Sequence, residues 1–329
     1  MSQVTPEDRR WLDAAARMAA RGHPLSRPNP AVGAIIVKDG RVVSRGWTQP
    51  GGRPHAEAVA LGLAGSAAYG STLYVTLEPC AHPSPRGATC ADLVAASRLA
   101  RVVIGCSDPD PRTAGAGIAR IAAAGIAVDL ADSPTACASL AGYLTQQRQG
   151  RPHVTLKLAT SLDGRIALAS GESRWLTGEP ARSHCHAMRA RCDAILVGGG
   201  TLRSDAPRLD VRLPGLESRS PERWVLTRGV APPGWQALTS PAAIAEMRHV
   251  QQLFVEGGAE TAAAFLAADL VDRLLLYRAP VVIGRGKSAV GDIALPDLAA
   301  AHGRWVLADQ RRLGSDTLEV YERALCLLG

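Results

Sequence analysis

Hydrophobic and polar residues in the first half of the chain follow the period of a helix and the period of a strand in turn. Residues 5–8 combine a capping hydroxyl, a proline and two acids, which is typical of a helix start, and apolar residues follow at helical spacing from 11 to 19. Asp39-Gly40 between β-rich runs at 31–37 and 41–47 predicts a hairpin. Further elements are predicted as helices at 56 to about 63, from about 91, at 118–124 and at 133–147, and as strands at 72–77, 101–105 and 126–130.

A polar segment with glycine and proline, residues 148–152, separates this pattern from a second one. The second pattern predicts strands at 154–159, 194–197, 223–226, 253–255 and 273–277, and helices near 180–191 and 260–268. The stretch 203–221 is rich in proline, arginine and serine and is predicted to be a long loop. Alternation of helix and strand in both halves predicts an α/β fold with largely parallel sheets. The chain is therefore divided into domains over 1–150 and 151–329.

Length and composition support this division. The 329 residues suit two domains, and 47% hydrophobic with 20% charged residues allow each a sizeable core. Seven cysteines are too sparse for a disulfide scaffold. The first 22 residues are charged and lack the apolar region of a secretory signal, and glycines and serines break the longest uncharged stretch, 58–77. We expect a cytoplasmic protein with no membrane partner.

The net charge and its distribution bear on whether the partner is a small anion or a nucleic acid. The chain carries 37 basic and 30 acidic residues, a formal net charge of +7, and the basic residues form no long run. Aromatic residues are 4% of the chain, which disfavours a base-stacking platform for single-stranded nucleic acid. The balance suits an anionic small molecule at least as well as nucleic acid, and we expect a small-molecule partner and no nucleic acid.

One constellation in the first half has the spacing of a catalytic zinc site. His55 and Glu57 open a predicted helix, Pro79 and Cys80 follow at a strand end, and Cys90 comes after nine more residues. One imidazole and two thiolates leave the fourth tetrahedral position of zinc to water, whose pKa the metal lowers to about 7. Glu57 is placed to move a proton from this water to a leaving amine. The spacing is the His-x-Glu…Pro-Cys signature of zinc deaminases.

The loop between the two cysteines contains a rival ligand. His82 lies two residues after Cys80, and prolines and glycine in the loop allow Cys90 to return to the metal. We assign the third ligand to Cys90 and interpret His82 as a substrate contact or a loop residue. A helix beginning at Cys80 would favour the thiolate that the metal needs.

Three further features lie near this constellation in the sequence. Asn29 stands between two prolines, so a rigid loop presents an amide suited to a pyrimidine edge, although a polar turn is the alternative. Residues 108–112 follow a strand, where α/β proteins place ligands. Residues 115–117 do not complete the Gly-x-Gly-x-x-Gly pattern, so no dinucleotide site is assigned there.

In the second half, glycine turns end two predicted strands. Residues 198–200 and 257–258 let backbone N–H groups approach phosphates closely, which fits a pyrophosphate cofactor. Lys157 lies within an apolar strand and requires a phosphate or carboxylate partner. Arg189 and Arg212 either clamp a ribose phosphate or lie on a solvated surface.

Two other motifs in this half favour structural roles. Residues 161–165, Ser-Leu-Asp-Gly-Arg, follow an apolar strand and predict a turn. The run His184-Cys185-His186 has the residue types of a metal site. Because side chains two residues apart on a helix diverge, it is interpreted as structural or surface.

Together, these residues resemble the family of bifunctional riboflavin-biosynthesis proteins, in which a diaminohydroxyphosphoribosylaminopyrimidine deaminase is fused to a 5-amino-6-(5-phosphoribosylamino)uracil reductase. The matching segments occur in family order over nearly the whole chain. In the first half they are 28–33, 55–57, 76–80 and 108–111, and in the second half 156–165, 171–175, 200–201, 205–207, 255–258 and 270–273.

The resemblance implies a cytidine-deaminase-like zinc domain over 1–150, a dihydrofolate-reductase-like NADPH domain over 151–329, and a homo-oligomer. Zinc ligands are implied at His55, Cys80 and Cys90, with Glu57 as the catalytic proton shuttle. NADPH contacts are implied at Ala159, Trp175, Thr201, Asp205 and Gly258. Substrate contacts are implied at Ser173, Arg189, Leu209, Arg212 and Glu256, and Asn29, from its own loop, is expected to contact the substrate as well.

The resemblance also implies two successive reactions on one phosphorylated pyrimidine. The first is hydrolytic deamination, and the second is hydride transfer from NADPH to the open-chain aldehyde form of the ribosyl group, which gives a ribityl chain. Two alternatives stay open. One is a zinc deaminase of another pyrimidine or of tRNA with an inactive second domain, and the other is a nucleotide-binding regulatory module with a structural zinc.

Overall fold

The structure, a computed structural model, describes residues 4–324. The ends of the two predicted domain ranges, 1–3 and 325–329, lie outside the described residues. The chain forms two compact units that divide between Gly150 and Arg151. None of the described helices is long and apolar enough to cross a membrane.

The first unit is a five-stranded sheet with helices on both faces. Its elements are α1 (Pro6–Ala19), β1 (Gly33–Lys38), β2 (Arg41–Trp47), α2 (Ala56–Ala64), β3 (Thr72–Val75), α3 (Cys90–Ala95), β4 (Arg101–Ile104), α4 (Ala116–Ala123), β5 (Ala127–Leu130), α5 (Pro134–Ser139) and α6 (Ala141–Gln149). The strand order is β2-β1-β3-β4-β5. Strand β1 is antiparallel to both of its neighbours, β2 and β3, and β3, β4 and β5 are parallel.

Local chemistry explains the first elements of this unit. The Thr5 hydroxyl accepts the Asp8 N–H at 3.1 Å, and the Asp8 carboxylate accepts the Thr5 N–H at 2.8 Å, a capping box that starts α1. Successive residues of β1 point to opposite faces of the sheet. Ile36 packs into the core beside α2, whereas Ile35 packs with Leu12 of α1. Both faces are therefore buried, as expected for a sheet covered on both sides.

The second unit contains an eight-stranded sheet and a small separate one. Its elements are β6 (His153–Thr160), β7 (Arg165–Leu168), α7 (Glu179–Arg189), β8 (Ala194–Gly198), α8 (Gly199–Asp205), β9 (Glu222–Leu226), β10 (Gln236–Leu238), β11 (Gln252–Glu256), α9 (Ala259–Ala267), β12 (Arg273–Arg278), β13 (Gly286–Ser288), β14 (Trp305–Leu313) and β15 (Asp316–Arg323). The large sheet has the order β10-β9-β8-β11-β6-β12-β15-β14, with β15 antiparallel to both of its neighbours and the other pairs parallel. Strands β7 and β13 form the small antiparallel sheet.

Alternation along β8 separates the two cores of this unit. Leu196 packs in the core with Phe265 of α9, and Ile195 packs in the other core with Cys185 of α7. The carboxyl ends of β6, β8 and β11 therefore lie side by side between two helical layers, where α/β folds place their ligands.

The structure corrects two predicted elements and adds strands that were not predicted. The predicted helix 133–147 is two helices, α5 and α6, because Leu140 between them has φ −105° and ψ 7°, outside the helical range. The predicted loop 203–221 begins only after α8 ends at Asp205 and contains a short 3₁₀ turn, Glu217–Arg219. The hairpin of β14 and β15 was not predicted.

Candidate functional site

Three metal-ligand side chains of the first unit converge at the start of α2 and α3. His55 is the residue that precedes α2, Cys80 lies in the loop after β3, and Cys90 is the first residue of α3. Nδ1 of His55 lies 3.2 Å from Sγ of Cys90 and 3.6 Å from Sγ of Cys80. The three ligand atoms all lie within 4.8 Å of one another.

The prediction of a helix N-terminus at Cys80 is wrong, because the helix begins at Cys90 instead. The Cys80 thiolate is favoured in another way. The Cys90 thiol donates a hydrogen bond to Cys80 and lowers the pKa of Cys80 to about 4, and the Cys90 backbone N–H also points at the Cys80 sulfur, 3.4 Å away. Two sulfurs and one imidazole nitrogen at these separations fit the soft donor set and the tetrahedral geometry that Zn²⁺ takes.

Glu57 lies in the first turn of α2, beside this donor set. Its side chain is buried, and burial raises the pKa of Glu57 to about 7, against the attraction of His55, which lowers it. A carboxyl with a pKa near neutrality both accepts and releases a proton at physiological pH, as a proton shuttle must.

Of the two predicted neighbours of the metal ligands, Asn29 contacts a ligand and His82 does not. The amide nitrogen of Asn29 donates to the Gly52 carbonyl at 2.9 Å and lies 2.8 Å from Nε2 of His55, so Asn29 contacts the back of the ligand ring. Nδ1 of His82 lies 3.2 Å from the Thr113 hydroxyl, and His82 is outside the metal-ligand group.

Polar groups of residues 108–112 and 115–117 have partners within the first unit. The buried Asp108 carboxylate accepts from the Tyr143 hydroxyl at 2.7 Å, and Asp110 pairs with Arg112 at 2.5 Å. The backbone N–H groups of Gly115 and Gly117 donate to the carboxylate of Glu78. A side chain therefore occupies the place where an anion would bind. Glu78 was missed in the sequence, although its position two residues before Cys80 was a signal.

In the second unit, one cavity of about 550 Å³ collects every residue predicted to contact cofactor or substrate there. It opens at the carboxyl ends of β6, β8 and β11. The predicted cofactor residues that line it are Ala159, Trp175, Thr201, Asp205 and Gly258, and the predicted substrate residues are Ser173, Arg189, Leu209, Arg212 and Glu256. The sequence reasoning missed Tyr277 and Lys287, which also line it.

A carboxylate that is 13% exposed, Glu256, lies in the wall of this cavity with two cationic partners. Arg189 donates to Glu256 through Nε at 2.6 Å and Nη2 at 2.9 Å, and Nζ of Lys157 is 4.0 Å from the same carboxylate. Lys157 therefore has the carboxylate partner that its strand position requires. Burial alone would raise the pKa of Glu256, but Arg189 and Lys157 outweigh it and lower that pKa to about 2.

The two arginines proposed for a phosphate clamp differ in exposure. The Arg189 side chain is 11% exposed, so it does not lie on a solvated surface. Its guanidinium is hydrogen-bonded to the Glu256 carboxylate. The Arg212 side chain is 50% exposed and lies beside Asp210 and His186. Arg212 is therefore the one that can turn towards a ligand phosphate.

The residues of the run 184–186 make contacts within the second unit, and Cys185 and His186 also line the first cavity. Nδ1 of His184 lies 2.8 Å from the Tyr277 hydroxyl, and Nδ1 of His186 lies 3.2 Å from the Asp210 carbonyl. Within residues 4–324, the group of His55, Cys80 and Cys90 is the one that could hold a metal ion.

A second cavity, of about 630 Å³, adjoins the first and shares Ala206, Pro207 and Arg208 with it. Arg203 and Arg223 also line it, and the guanidinium of Arg223 stacks 5.5 Å from the centre of the Trp235 ring. No acidic side chain is among the described residues that line this cavity. Its walls are thus apolar and cationic, which suits a base with an attached phosphate.

Comparison with known proteins identifies both units. Residues 5–106 match the cytidine and deoxycytidylate deaminase zinc-binding region, and residues 152–318 match the RibD C-terminal domain. The riboflavin biosynthesis protein RibD of Escherichia coli (strain K12) is 37% identical over 89% of this chain and 92% of that protein. Its counterpart in Mycobacterium tuberculosis (strain ATCC 25618 / H37Rv) is 38% identical over 88% of this chain and 90% of that protein.

Solved structures agree over both units. Acinetobacter baumannii RibD, form 1, has a TM-score of 0.84 at 33% identity and covers 96% of this chain and 99% of its own. A diaminohydroxyphosphoribosylaminopyrimidine deaminase/5-amino-6-(5-phosphoribosylamino)uracil reductase from Thermotoga maritima has a TM-score of 0.83 at 28% identity and covers 96% of this chain and 98% of its own. The family resemblance and the fold class predicted from the sequence are confirmed. The chain therefore belongs to the RibD family of riboflavin biosynthesis proteins, bifunctional enzymes with a zinc-dependent cytidine-deaminase-like domain followed by an NADPH-dependent, dihydrofolate-reductase-like domain.

Proposed function

We propose that residues 1–150 deaminate a phosphoribosylated diaminopyrimidinone and that residues 151–329 then reduce its ribosyl group to ribityl. The observation that carries the first step is the convergence of His55, Cys80 and Cys90 within 4.8 Å, beside the buried Glu57. The second step is supported by the single cavity that gathers all the predicted cofactor and substrate residues of that half.

In the first unit, His55, Cys80 and Cys90 would hold Zn²⁺, which supplies the Lewis acidity that activates water. Glu57 would take a proton from the attacking water and deliver it to the amine nitrogen, which leaves as ammonia. Burial, which raises the pKa of Glu57, favours its taking up a proton at neutral pH. The amide nitrogen of Asn29 donates to the Gly52 carbonyl and lies beside His55. The amide oxygen of Asn29 would therefore be the atom that contacts a pyrimidine edge.

In the second unit, bound NADPH supplies the hydride that goes to C1 of the open-chain ribosyl group, and the protein supplies orientation and electrostatics. Ala159, Trp175, Thr201, Asp205 and Gly258 would contact the cofactor, and Ser173, Arg189, Leu209, Arg212 and Glu256 the substrate. Seven cationic and two carboxylate side chains line the cavity, so it attracts anionic ligands; they are Lys157, Arg174, Arg182, Arg189, Arg208, Arg212 and Lys287, with Asp205 and Glu256.

The second cavity would take the adenosine end of NADPH. Arg203 and Arg223 form no ion pair within the described part of the chain, whereas Arg208 pairs with Asp210 at 2.7 Å. Sites for NAD use a carboxylate on the ribose 2′-hydroxyl, and sites for NADP place an arginine near the 2′-phosphate. Two arginines without an ion pair and the lack of a carboxylate in the lining therefore favour NADPH over NADH.

The test is incubation of the purified chain with the phosphorylated diaminopyrimidine, with and without NADPH, followed by mass spectrometry of the products. The expected product without NADPH has lost the amine as ammonia, and NADPH adds two hydrogens. Glu57→Gln is expected to lower ammonia release by about 10²–10⁴-fold while zinc content stays unchanged. Unaltered ammonia release in this variant rules out the proton-shuttle role.

The same assay separates the alternatives. Turnover of another pyrimidine or of tRNA, with no NADPH oxidation on any deaminated product, would favour the orphan deaminase. Zinc binding without release of ammonia from any of these substrates would favour the regulatory module.

We also propose the homo-oligomer that the family resemblance implies and the absence of nucleic acid in the purified protein. Sedimentation and the absorbance ratio at 260 and 280 nm measure these.

A further inference from the structure

Glu78 is a buried carboxylate that the proposed mechanism does not use. It lies in the segment between β3 and Cys80, and 2% of its surface is exposed. Its two oxygens accept four backbone N–H bonds, from Asp108 at 3.4 Å, Gly115 at 3.1 Å, Gly117 at 3.1 Å and Ile118 at 3.3 Å. The last three donors form the first turn of α4 and the residue before it. A single side chain thus fastens the start of α4 to the segment that ends at Cys80.

The backbones of α4 and of the segment before Cys80 are in direct contact at this junction. A Cβ added at Gly117 would lie 2.1 Å from the Pro79 carbonyl oxygen, so the helix backbone rests directly on the residue before Cys80. Glycine is required at this position by the close approach of the two backbones. Displacement of α4 would therefore displace Pro79 and Cys80 with it.

The same helix reaches the second thiolate through Arg120. Nη1 of Arg120 donates to the Thr89 hydroxyl at 3.2 Å and to the Asp92 carboxylate at 3.0 Å. The Thr89 hydroxyl also accepts the Asp92 N–H and so caps α3, of which Cys90 is the first residue. Helix α4 consequently holds the Cys80 segment at its first turn and the Cys90 segment one turn later.

We propose that α4 sets the separation of the two zinc thiolates, with Glu78 and Arg120 as positioning residues that act through Cys80 and Cys90. The inference rests on the zinc site of the proposed function. Partners outside the ligand set hold the ligands in a metal-ready geometry, and their loss typically weakens metal affinity by about 10–100-fold. Glu78 touches neither the metal ligands' side chains nor, in the proposed mechanism, the substrate, so its effect is on metal affinity and ligand geometry.

The experiment compares Glu78→Gln and Arg120→Gln with wild type and with Asp8→Asn. Asp8 is a matched control, because it is also a buried carboxylate of the same unit, bonded to Thr5, Tyr74 and Arg101, and lies in α1. Zinc affinity is measured by competition with a chromophoric chelator. The thiolate-to-metal charge-transfer band of the Co²⁺-substituted protein reports ligand geometry independently of activity.

Glu78→Gln replaces one acceptor oxygen with an amide group that faces N–H donors, and it is expected to weaken zinc binding by about 10–100-fold and to change the Co²⁺ band. Arg120→Gln is expected to act in the same direction, and Arg120→Lys, which keeps a donor, to restore part of the affinity. Asp8→Asn is expected to lower the thermal midpoint while zinc affinity and the Co²⁺ band stay as in wild type.

The outcomes separate the two proposals. Absence of metal binding in wild type would overturn the proposed zinc site itself. Metal binding in wild type with unchanged affinity and spectrum in Glu78→Gln and Arg120→Gln would overturn the positioning role of α4. If Glu78→Gln does not fold, Arg120→Gln decides, because the Arg120 side chain is 40% exposed and its removal leaves the core intact. Equal losses of zinc affinity in Asp8→Asn and Glu78→Gln would also overturn it, since general destabilisation would then explain both.

Discussion

Removal of the Arg189 guanidinium tests the ion pair in the wall of the reductase cavity. Arg189→Met keeps most of the side-chain volume but leaves the Glu256 carboxylate buried, with Lys157 4.0 Å away as its remaining cation. Loss of one partner of a buried pair typically costs about 3–5 kcal/mol. The pKa of Glu256 gives a similar figure, because a fall from 4.5 in the unfolded chain to about 2 in the folded one contributes about 3 kcal/mol at neutral pH.

The stability of wild type and that of Arg189→Met are expected to change with pH in opposite directions. In wild type the pKa of Glu256 is depressed, so its stabilising contribution is complete above about pH 4.5 and is lost as pH falls towards 2. In Arg189→Met, burial dominates and raises the pKa of Glu256, so the folded variant loses stability as pH rises. The difference between the two proteins is therefore expected to be larger at pH 7 than at pH 4.5.

The assay is urea denaturation at the two pH values, followed by tryptophan fluorescence, because four of the six tryptophans lie in the second unit: Trp175, Trp224, Trp235 and Trp305. Arg212→Met is the matched control from the same cavity, and its half-exposed side chain is expected to cost at most about 1 kcal/mol. Arg189→Met/Glu256→Gln is expected to recover part of the loss, because it removes the unpaired charge. A cost below about 1 kcal/mol in Arg189→Met, or one that does not depend on pH, would refute the reasoning.

Three further results are expected. Arg223→Gln should lower kcat/KM for NADPH by about 10–100-fold, the worth of a charge-assisted hydrogen bond, and leave the value for NADH nearly unchanged in steady-state assays; an equal loss with both cofactors would contradict a contact with the 2′-phosphate. Leu12→Ala, at a fully buried site of α1, should destabilise the first unit by about 2–5 kcal/mol in thermal denaturation, whereas a cost under about 1 kcal/mol would mean that α1 repacks. Chelation of zinc should abolish ammonia release but not NADPH oxidation on the deaminated product, and loss of both activities would show that the sites are coupled.

The sequence predicted features whose determinants are local. The capping box at Thr5 and Asp8 fixes the start of α1, and Asp39-Gly40 fixes the hairpin of β1 and β2, because each depends on residues within a few positions of one another. The spacing of His55, Cys80 and Cys90 was equally informative. A metal site at this spacing requires only that β3 and the loop after it bring the two thiols back to the start of α2. The structure does bring the three ligand atoms together.

Elements without a hydrophobic pattern of their own were missed. Strand β14 is mostly exposed and carries the polar run Asp309 to Arg312, so it lacks the alternation that marks a half-buried strand. It becomes a strand because β15 pairs with it along its length, and Leu318 of β15 is fully buried. The break at Leu140 was also invisible, since apolar and polar residues continue through it at helical spacing.

The sequence also did not predict which groups pair with the carboxylates of Glu78 and Glu256. The order of the strands determines these pairs. Glu78 meets the Gly115 N–H 37 residues away, and Glu256 meets Arg189 67 residues away. The first contact exists because β3 and β4 are parallel neighbours, so that their carboxyl ends open on the same edge of the sheet. The second exists because β11 lies between β6 and β8, which places Glu256 beside Lys157 of β6 and under α7. In both units, therefore, the order of the strands decides which buried charges meet, and no local pattern in the sequence encodes that order.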